Sequence, residues 1–284
     1  MGALDFFKIR HKDNQGPQGT ISRCILFAAY FQNNTAPVED EFYLSKLGMH
    51  GDVYVFVDSN YIVDEELLKL QRHAKSVRYL KHDQYDFGSW KYLIRQIGLK
   101  KILEYDEIVF ANNSVYLIND MSQVFDEFSK SEADFYSPCF VDEHYCGKTL
   151  TSAAYLKSFG FNDTNIMMPS FFMIFKRHLF SKQYIHKMFM DVKKENNRLD
   201  VCYNYERELT RSILRNNVLH KTSLNTIYNN SYIYTYIAFN MAKTGFPFLK
   251  KKALQQVYYD IDFIESRISG ILREIGRASC RERV

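Results

Sequence analysis

The sequence predicts an α/β protein, with a Rossmann-like, mostly parallel central sheet flanked by helices. Short apolar runs such as Ile108–Ala111 proceed without alternation, the pattern of strands covered on both faces. Between them lie amphipathic stretches of helical length. Strands separated by helices at this rhythm imply right-handed crossovers and a parallel sheet, here read as a nucleotide-binding half. The composition is 46% hydrophobic and 16% aromatic, with 23 Phe and 21 Tyr against a single Trp, ample material for such a core.

In chain order, residues 1 to 21 are polar and read as a flexible leader. Arg23 to Tyr30 reads as a buried strand, 31 to 37 as a polar loop, and Val38 to Met49 as an amphipathic helix carrying Phe42, Leu44 and Leu47. Asp52 to Val57 is a second strand closed by Asp58, residues 63 to 74 a helix, and Ser76 to Leu80 a third strand. His82 to Lys91 opens a helix reaching about Leu103. On it Trp90, Leu93, Ile94 and Ile97 form one stripe, and Asp86 stands where an N-cap would. Tyr105 to Ser114 is the fourth strand and its edge. Met121 to Lys130 is helical, Asp134 to Pro138 a short strand, 141 to 166 loop-rich, and Ser170 to Phe175 a strong strand. Helical stretches follow at 178 to 196 and 201 to 215.

Several classes are excluded. A net charge of +4 without basic–aromatic interleaving on one element is poor footing for nucleic acid. Gly-rich phosphate loops, nucleophile elbows and HExxH signatures are absent. The cysteines form no CxxC pair, which fits reduced thiols of a cytosolic protein, and Cys139, His144 and Cys146 lack a fourth zinc ligand at suitable spacing. Phe6 stands where a myristoylation motif needs Ser or Thr. The nearest candidate for a membrane span, Tyr232 to Met241, is short and interrupted by Thr235 and Asn240. Glu274 to Val284 looks like the in-frame translation of a sequencing adaptor and is set aside, leaving 256 to 273 as the start of a truncated helix.

Ligands of open α/β sheets bind beyond the carboxyl ends of the strands, so the Asn112-Asn-Ser114 edge marks the expected site. The alternative is an ordinary turn closing a strand. On the helix from Val201 to Arg215, Tyr205, Leu209 and Ile213 mark the buried stripe. Glu206 lies beside it while Glu208 points to solvent, within reach of Arg211. A partly buried carboxylate at Glu206 is either a general base or a paired core residue. Thr244 to Lys252 is a turn followed by three lysines: a solvated charge run, a cation near a diphosphate, or a weak contact to an anionic membrane.

Tyr85-Asp-Phe-Gly-Ser-Trp-Lys91, Asn112-Asn-Ser-Val-Tyr116, Ser170-Phe-Phe-Met-Ile-Phe-Lys176, Tyr205-Glu206 with Leu209-Thr210, and Gly245-Phe-Pro-Phe-Leu-Lys250 occur in this order. Together they resemble the rhamnan synthesis F family of polysaccharide glycosyltransferases, over roughly residues 23 to 255. The resemblance implies a GT-A-like fold and transfer of a sugar, often rhamnose, from a nucleotide-sugar donor to a glycan or lipid-linked glycan acceptor at the cell surface. By that analogy Tyr85, Asp86, Phe87, Gly88 and Lys91 line the donor site, with Tyr30 and Asp58 at neighbouring strand ends. Asn112, Asn113, Ser114 and Lys250 hold the diphosphate or its Mg²⁺ or Mn²⁺, and Glu206 and Asp86 are the catalytic residues, Glu206 as the base. The family usually carries Asp at the position of Asn113, and a neutral amide is a poorer ligand for these hard cations. Leu117-Ile118 replaces a Gly-Pro, and Met167 or a neighbour stands where a His is common.

One domain is expected over 22 to 255, with a nucleotide-binding half to about 116 and a mixed α+β acceptor half beyond it. The expected place is the cytoplasm or the inner membrane face. The alternatives are a non-catalytic glycan-assembly subunit that lost the metal site and, last, another nucleotide-sugar enzyme such as a phosphorylase.

Overall fold

A computed structural model of the chain describes residues 21–31, 33–142, 166–224, 227–229 and 245–252. The first half alternates as expected: β1 (Arg23–Ala29), α1 (Val38–Gly48), β2 (Asp52–Val57), α2 (Asp64–His73), β3 (Ser76–Tyr79), α3 (Tyr85–Ile97), α4 (Leu99–Ile102) and β4 (Glu107–Asn112). The helix expected to reach Leu103 is broken at Gly98, whose φ of 88° lies in the region that disfavours side chains.

The remainder is less regular. It comprises β5 (Val115–Leu117), α5 (Ser122–Ser129), β6 (Phe135–Ser137), β7 (Phe140–Asp142), β8 (Ile166–Met167) and β9 (Phe172–Lys176). Then come α6 (Arg177–Phe180), α7 (Gln183–Met190) and α8 (Arg198–Val201). The helix expected over 178 to 196 therefore ends at Met190, and a new one starts where the Asn197 side chain accepts from the Asp200 amide. A π-helical segment, Cys202–Arg207, leads into α9 (Glu208–Arg215), followed by β10 (His220–Thr222), β11 (Ile227–Asn229) and β12 (Phe248–Lys250). Strands β5 and β12, which pattern reading takes for loop and turn, pair antiparallel. The expected loop over 143–165 and the apolar stretch Tyr232 to Met241 lie outside the described residues.

The main sheet has seven strands in the order β10-β6-β9-β4-β1-β2-β3. β1 runs parallel to both β2 and β4, and β9 is antiparallel to β4 and β6. Every residue of β1 and β4 is buried, and their alternate side chains serve two cores. Leu26, Ile108 and Phe110 pack under Trp90, Leu93 and Ile94 of α3. Phe27, Val109 and Ala111 pack under Tyr43 and Leu44 of α1 and Phe125 of α5. Helices on both faces are why these strands lack polar alternation.

The chain moves from β1 outward to β3 and then returns to the other side of β1 as β4. That reversal opens a crevice at the carboxyl ends of β1 and β4, the place where such sheets bind ligands. Trp90 fixes its floor: its indole Nε1 donates to the carbonyls of both Leu26 (3.1 Å) and Ala111 (3.3 Å), tying α3 to the two strands.

Candidate active site

Asn112 ends β4 and Asn113 opens the turn after it, and their side chains meet different partners. Asn112 is buried and turns toward α3, where its amide NH₂ donates to the Asp86 carboxylate (2.5 Å). Its Oδ1 accepts from the Ser114 amide (3.0 Å) and from Ser114 Oγ (2.6 Å). Ser114 Oγ in turn accepts from Lys250 Nζ (2.9 Å), delivered by β12. Asp86, Asn112, Ser114 and Lys250 thus form one hydrogen-bonded chain built from three separate elements.

Glu206 faces this chain from the π-helical segment. One carboxylate oxygen accepts from the Ser170 amide (3.1 Å) and from the Ser170 hydroxyl. Thr210 Oγ1 locks the segment by donating to the Glu206 carbonyl (2.9 Å) while accepting from the Met168 amide (2.9 Å). π-Helical turns inside α-helices tend to mark functional sites, because the extra residue re-aims a side chain. Glu208 sits on the solvent side, 3.6 Å from Arg211 and 3.2 Å from Arg215.

The electrostatics couple these groups. Burial pushes the Asp86 carboxyl up to about 6, with Lys250 opposing the rise and Glu206 adding to it. Burial pulls the Lys250 ammonium down to about 8, with Glu206 and Asp86 holding it up and Arg198 lowering it further. Arg198 therefore lies within the field of the same cluster.

The Tyr85–Lys91 motif is mainly a device for placing Asp86. Asp86 does not cap α3: Gln84 occupies that position, and Asp86 lies in the first turn with its carboxylate on Asn112. Phe87 is buried and stacks on Phe189 (5.8 Å between centroids), so it belongs to the core and not to a donor surface. Gly88 is buried too. A Cβ there would lie 2.9 Å from the His82 ring and 2.3 Å from Gln84 Cβ, so the glycine allows α3 to approach the preceding loop. Lys91 donates to the Val192 carbonyl and does not join the Asp86–Lys250 chain. Tyr85 is exposed at the helix start with a φ of 56°.

Asp58 accepts from the backbone amide of His82 (2.9 Å), and its carboxylate lies 3.4 Å from the Lys81 ammonium. His82 Nε2 meets Ser89 Oγ at 3.0 Å, which superficially completes a Ser–His–Asp triad. However, His82 Nδ1 accepts from the Gln84 amide (3.0 Å), so Nε2 carries the proton and Ser89 has no base. Tyr30, 57% exposed, lies beside this corner with the Lys81 ammonium 5.2 Å from its ring centroid.

Asn113 departs most from expectation. Its Oδ1 accepts from the Tyr30 amide (3.3 Å), and its NH₂ donates to the Tyr30 carbonyl (3.1 Å) and to Asp40 (2.8 Å). It therefore holds the β1–α1 turn and presents no free ligand atom to the Asp86 side. Sequence reasoning missed Ser170, which orients Glu206, and the Asp40–Lys251 pair beside Asn113. The lysine run is not a solvated charge run, because Lys250 enters the cluster and Lys251 reaches Asp40 (2.6 Å).

Among the described residues, no group of three or more His, Cys, Asp or Glu side chains converges to hold a metal ion. Among the described residues, the donor set at the β4 edge is the Asp86 carboxylate, an amide whose oxygen is already taken, and a hydroxyl, with the Glu206 carboxylate engaged by Ser170 and a cation beside them. Mg²⁺ and Mn²⁺ favour several oxygens in octahedral array, and this set does not fit them. Among the described residues, no helix is long and apolar enough to cross a membrane.

No curated relative matches the chain. Solved structures that resemble it include a Bacillus anthracis chain assigned as a glucose-1-phosphate thymidylyltransferase, at 10% identity and a TM-score of 0.42, covering 72% of this chain and 87% of that one. S. aureus TarS 1-349 aligns at 14% identity and a TM-score of 0.42, covering 75% and 61%. The glycosyltransferase GlyE of Streptococcus pneumoniae TIGR4 aligns at 11% and 0.40, covering 79% and 49%, so the chain spans about half of GlyE's length. The family match is of a different kind, since it takes in α3, both sides of the β4 edge, the π-helical segment and β12 in one continuous stretch. Over residues 54–275, the protein belongs to the rhamnan synthesis protein F family.

Proposed function

We propose that the protein is a glycosyltransferase of polysaccharide synthesis, moving a rhamnose-like sugar from a nucleotide-sugar donor to a glycan or lipid-linked glycan acceptor. The observation that carries this reading is the Asp86–Asn112–Ser114–Lys250 chain facing Glu206 at the crevice between β1 and β4. Family membership supports the reaction class.

Glu206, oriented by Ser170 and Thr210, accepts the proton of the attacking acceptor hydroxyl. Lys250 and Arg198 face the negative charge that develops on the leaving diphosphate. A cation held in a half-buried site stabilises that charge more than one in water does. Asp86 holds the Asn112 amide and offsets the two cations while the donor is away. Tyr30, Asp58 and Tyr85 border the donor side, and residues 117 to 255 supply the acceptor side. We place the reaction in the cytoplasm or at the inner face of the membrane.

The second reading is a non-catalytic assembly subunit; the observation that favours it is Asn113, an amide bonded to Tyr30 and Asp40 where the family usually carries Asp. The test is a thermal-shift screen of UDP, GDP and dTDP, alone and with Mn²⁺. A nucleotide at 100 times its dissociation constant raises stability by roughly 2.7 kcal/mol. A clear shift with one nucleotide, unchanged by Mn²⁺, supports the reading; no shift with any of the three counts against it.

A further inference from the structure

The cluster depends on a short strand. β12 pairs with β5 over only Phe248–Leu117, Leu249–Tyr116 and Lys250–Val115, and its Phe248 is buried against Tyr43, Phe171 and Phe172. Two hydrogen bonds add to that packing at its entry: the Ile118 amide donates to the Pro247 carbonyl (2.9 Å), and Asn119 Nδ2 donates to the Phe246 carbonyl (2.8 Å). The exit is held differently. The Lys251 amide donates to the Ser114 carbonyl (3.0 Å), and the Lys251 ammonium reaches Asp40 (2.6 Å) and Glu39 (3.2 Å) at the start of α1.

Asp40 has no exposed surface, which is rare for a carboxylate unless it is paired. Its oxygens are divided between two segments. Oδ1 takes Lys251 of the β12 strap, and Oδ2 takes Asn113, whose amide also pairs with both backbone groups of Tyr30. Lys251 opens the turn that follows β12 and reaches Asp40, while Lys250, the last residue of the strand, reaches Ser114 of the Asp86–Glu206 cluster. One buried carboxylate thus bonds both to the residue that follows the strap delivering Lys250 and to the amide that holds the turn carrying Tyr30.

We propose that Asp40 is a positioning residue of the donor site, acting through Lys251 on Lys250 and through Asn113 on Tyr30. The proposal rests on the donor-site reading above for its functional half. Its structural half, the clamp on the strap, stands on the contacts alone.

The test uses Asp40→Asn, which keeps the shape but removes the charge, and Lys251→Met, which removes the same ion pair from the other side. Hydrogen exchange is followed in the unliganded proteins, and binding is titrated with whichever of UDP, GDP or dTDP the unaltered protein takes. In both variants the amides of Lys251 and Ile118 should exchange at least 10-fold faster, while those of β1 and β2 keep their wild-type protection. The nucleotide should bind 10- to 100-fold more weakly, and kcat/KM for the sugar donor should fall by at least as much, because Lys250 also faces the charge that develops on the leaving diphosphate. Unchanged exchange at Lys251 in both variants overturns the clamp. Faster exchange with unchanged binding overturns the positioning role and leaves the clamp standing. If the unaltered protein binds none of the three nucleotides, the donor-site reading fails, and exchange still decides the clamp.

Discussion

Lys250→Met separates what the cluster costs the fold from what it contributes to binding. Burial lowers the Lys250 ammonium from 10.5 to about 8. The unfolded chain therefore binds more protons than the native one between about 8 and 10.5, and stability rises with pH across that window. At pH 7 the full cost is present. At about 1.4 kcal/mol per pKa unit it comes to roughly 3 kcal/mol, less whatever the cluster's open edge returns to water. Methionine removes that cost but forfeits contacts that include the bond to Ser114 and the Phe171 ring (4.7 Å), these two together roughly 1–2 kcal/mol. The net expectation is stabilisation by about 1–2 kcal/mol, or a rise in Tm of roughly 2–6 °C at pH 7. The rise should shrink at pH 10, where the wild-type lysine has shed its proton. Nucleotide affinity should fall about 30- to 100-fold, the worth of a charge-assisted hydrogen bond of about 2–3 kcal/mol. Differential scanning fluorimetry at the two pH values and a nucleotide titration check both halves. A Tm lowered by several degrees at both pH values would refute the reasoning and make Lys250 a structural counterion.

Further expectations follow from the same contacts. Glu206→Gln should lower turnover by roughly 10²- to 10⁴-fold, with nucleotide affinity within a few-fold of wild type; steady-state kinetics beside a binding titration would expose unchanged turnover as fatal to the base assignment. Asn113→Asp should destabilise by about 2–4 kcal/mol in urea melts, because it removes the donors to Tyr30 and Asp40 and faces one buried carboxylate with another. No Mn²⁺-dependent activity should appear in that variant. Burial raises both Asp86 and Asp40 to about 6, so between about 4 and 6 the native state holds protons that the unfolded chain has released. The stability these two groups contribute is greatest below that window and is lost as pH rises through it. Asp86→Asn should flatten the pH dependence of ΔG there, and an unaltered slope would contradict the raised carboxyl.

The parts of the fold legible in sequence were those whose pattern is local. β1, β2 and β4 are short apolar runs because helices cover both faces, and the α3 stripe fixes which side meets the sheet. Periodicity also placed Glu206 beside the buried stripe. It could have corrected Lys91, which lies five residues after Asp86 and so about 140° round a helix of 3.6 residues per turn. Which of Asn112 and Asn113 faces α3 depends on Asp86 and Tyr30, far away in sequence. β12 escaped notice because three residues carry no period. Asp40, Ser170 and Lys251 act through partners between 36 and 211 residues away, which no local pattern reports.

Release of nucleoside diphosphate from nucleotide-sugars tests the central claim most directly, compared between the unaltered protein and Glu206→Gln with a membrane glycan fraction as acceptor. Each reaction is run in EDTA and in Mn²⁺. The account predicts release from one donor, retained in EDTA and at least 100-fold slower in Glu206→Gln. Release that requires Mn²⁺, or is indifferent to Glu206, would contradict it.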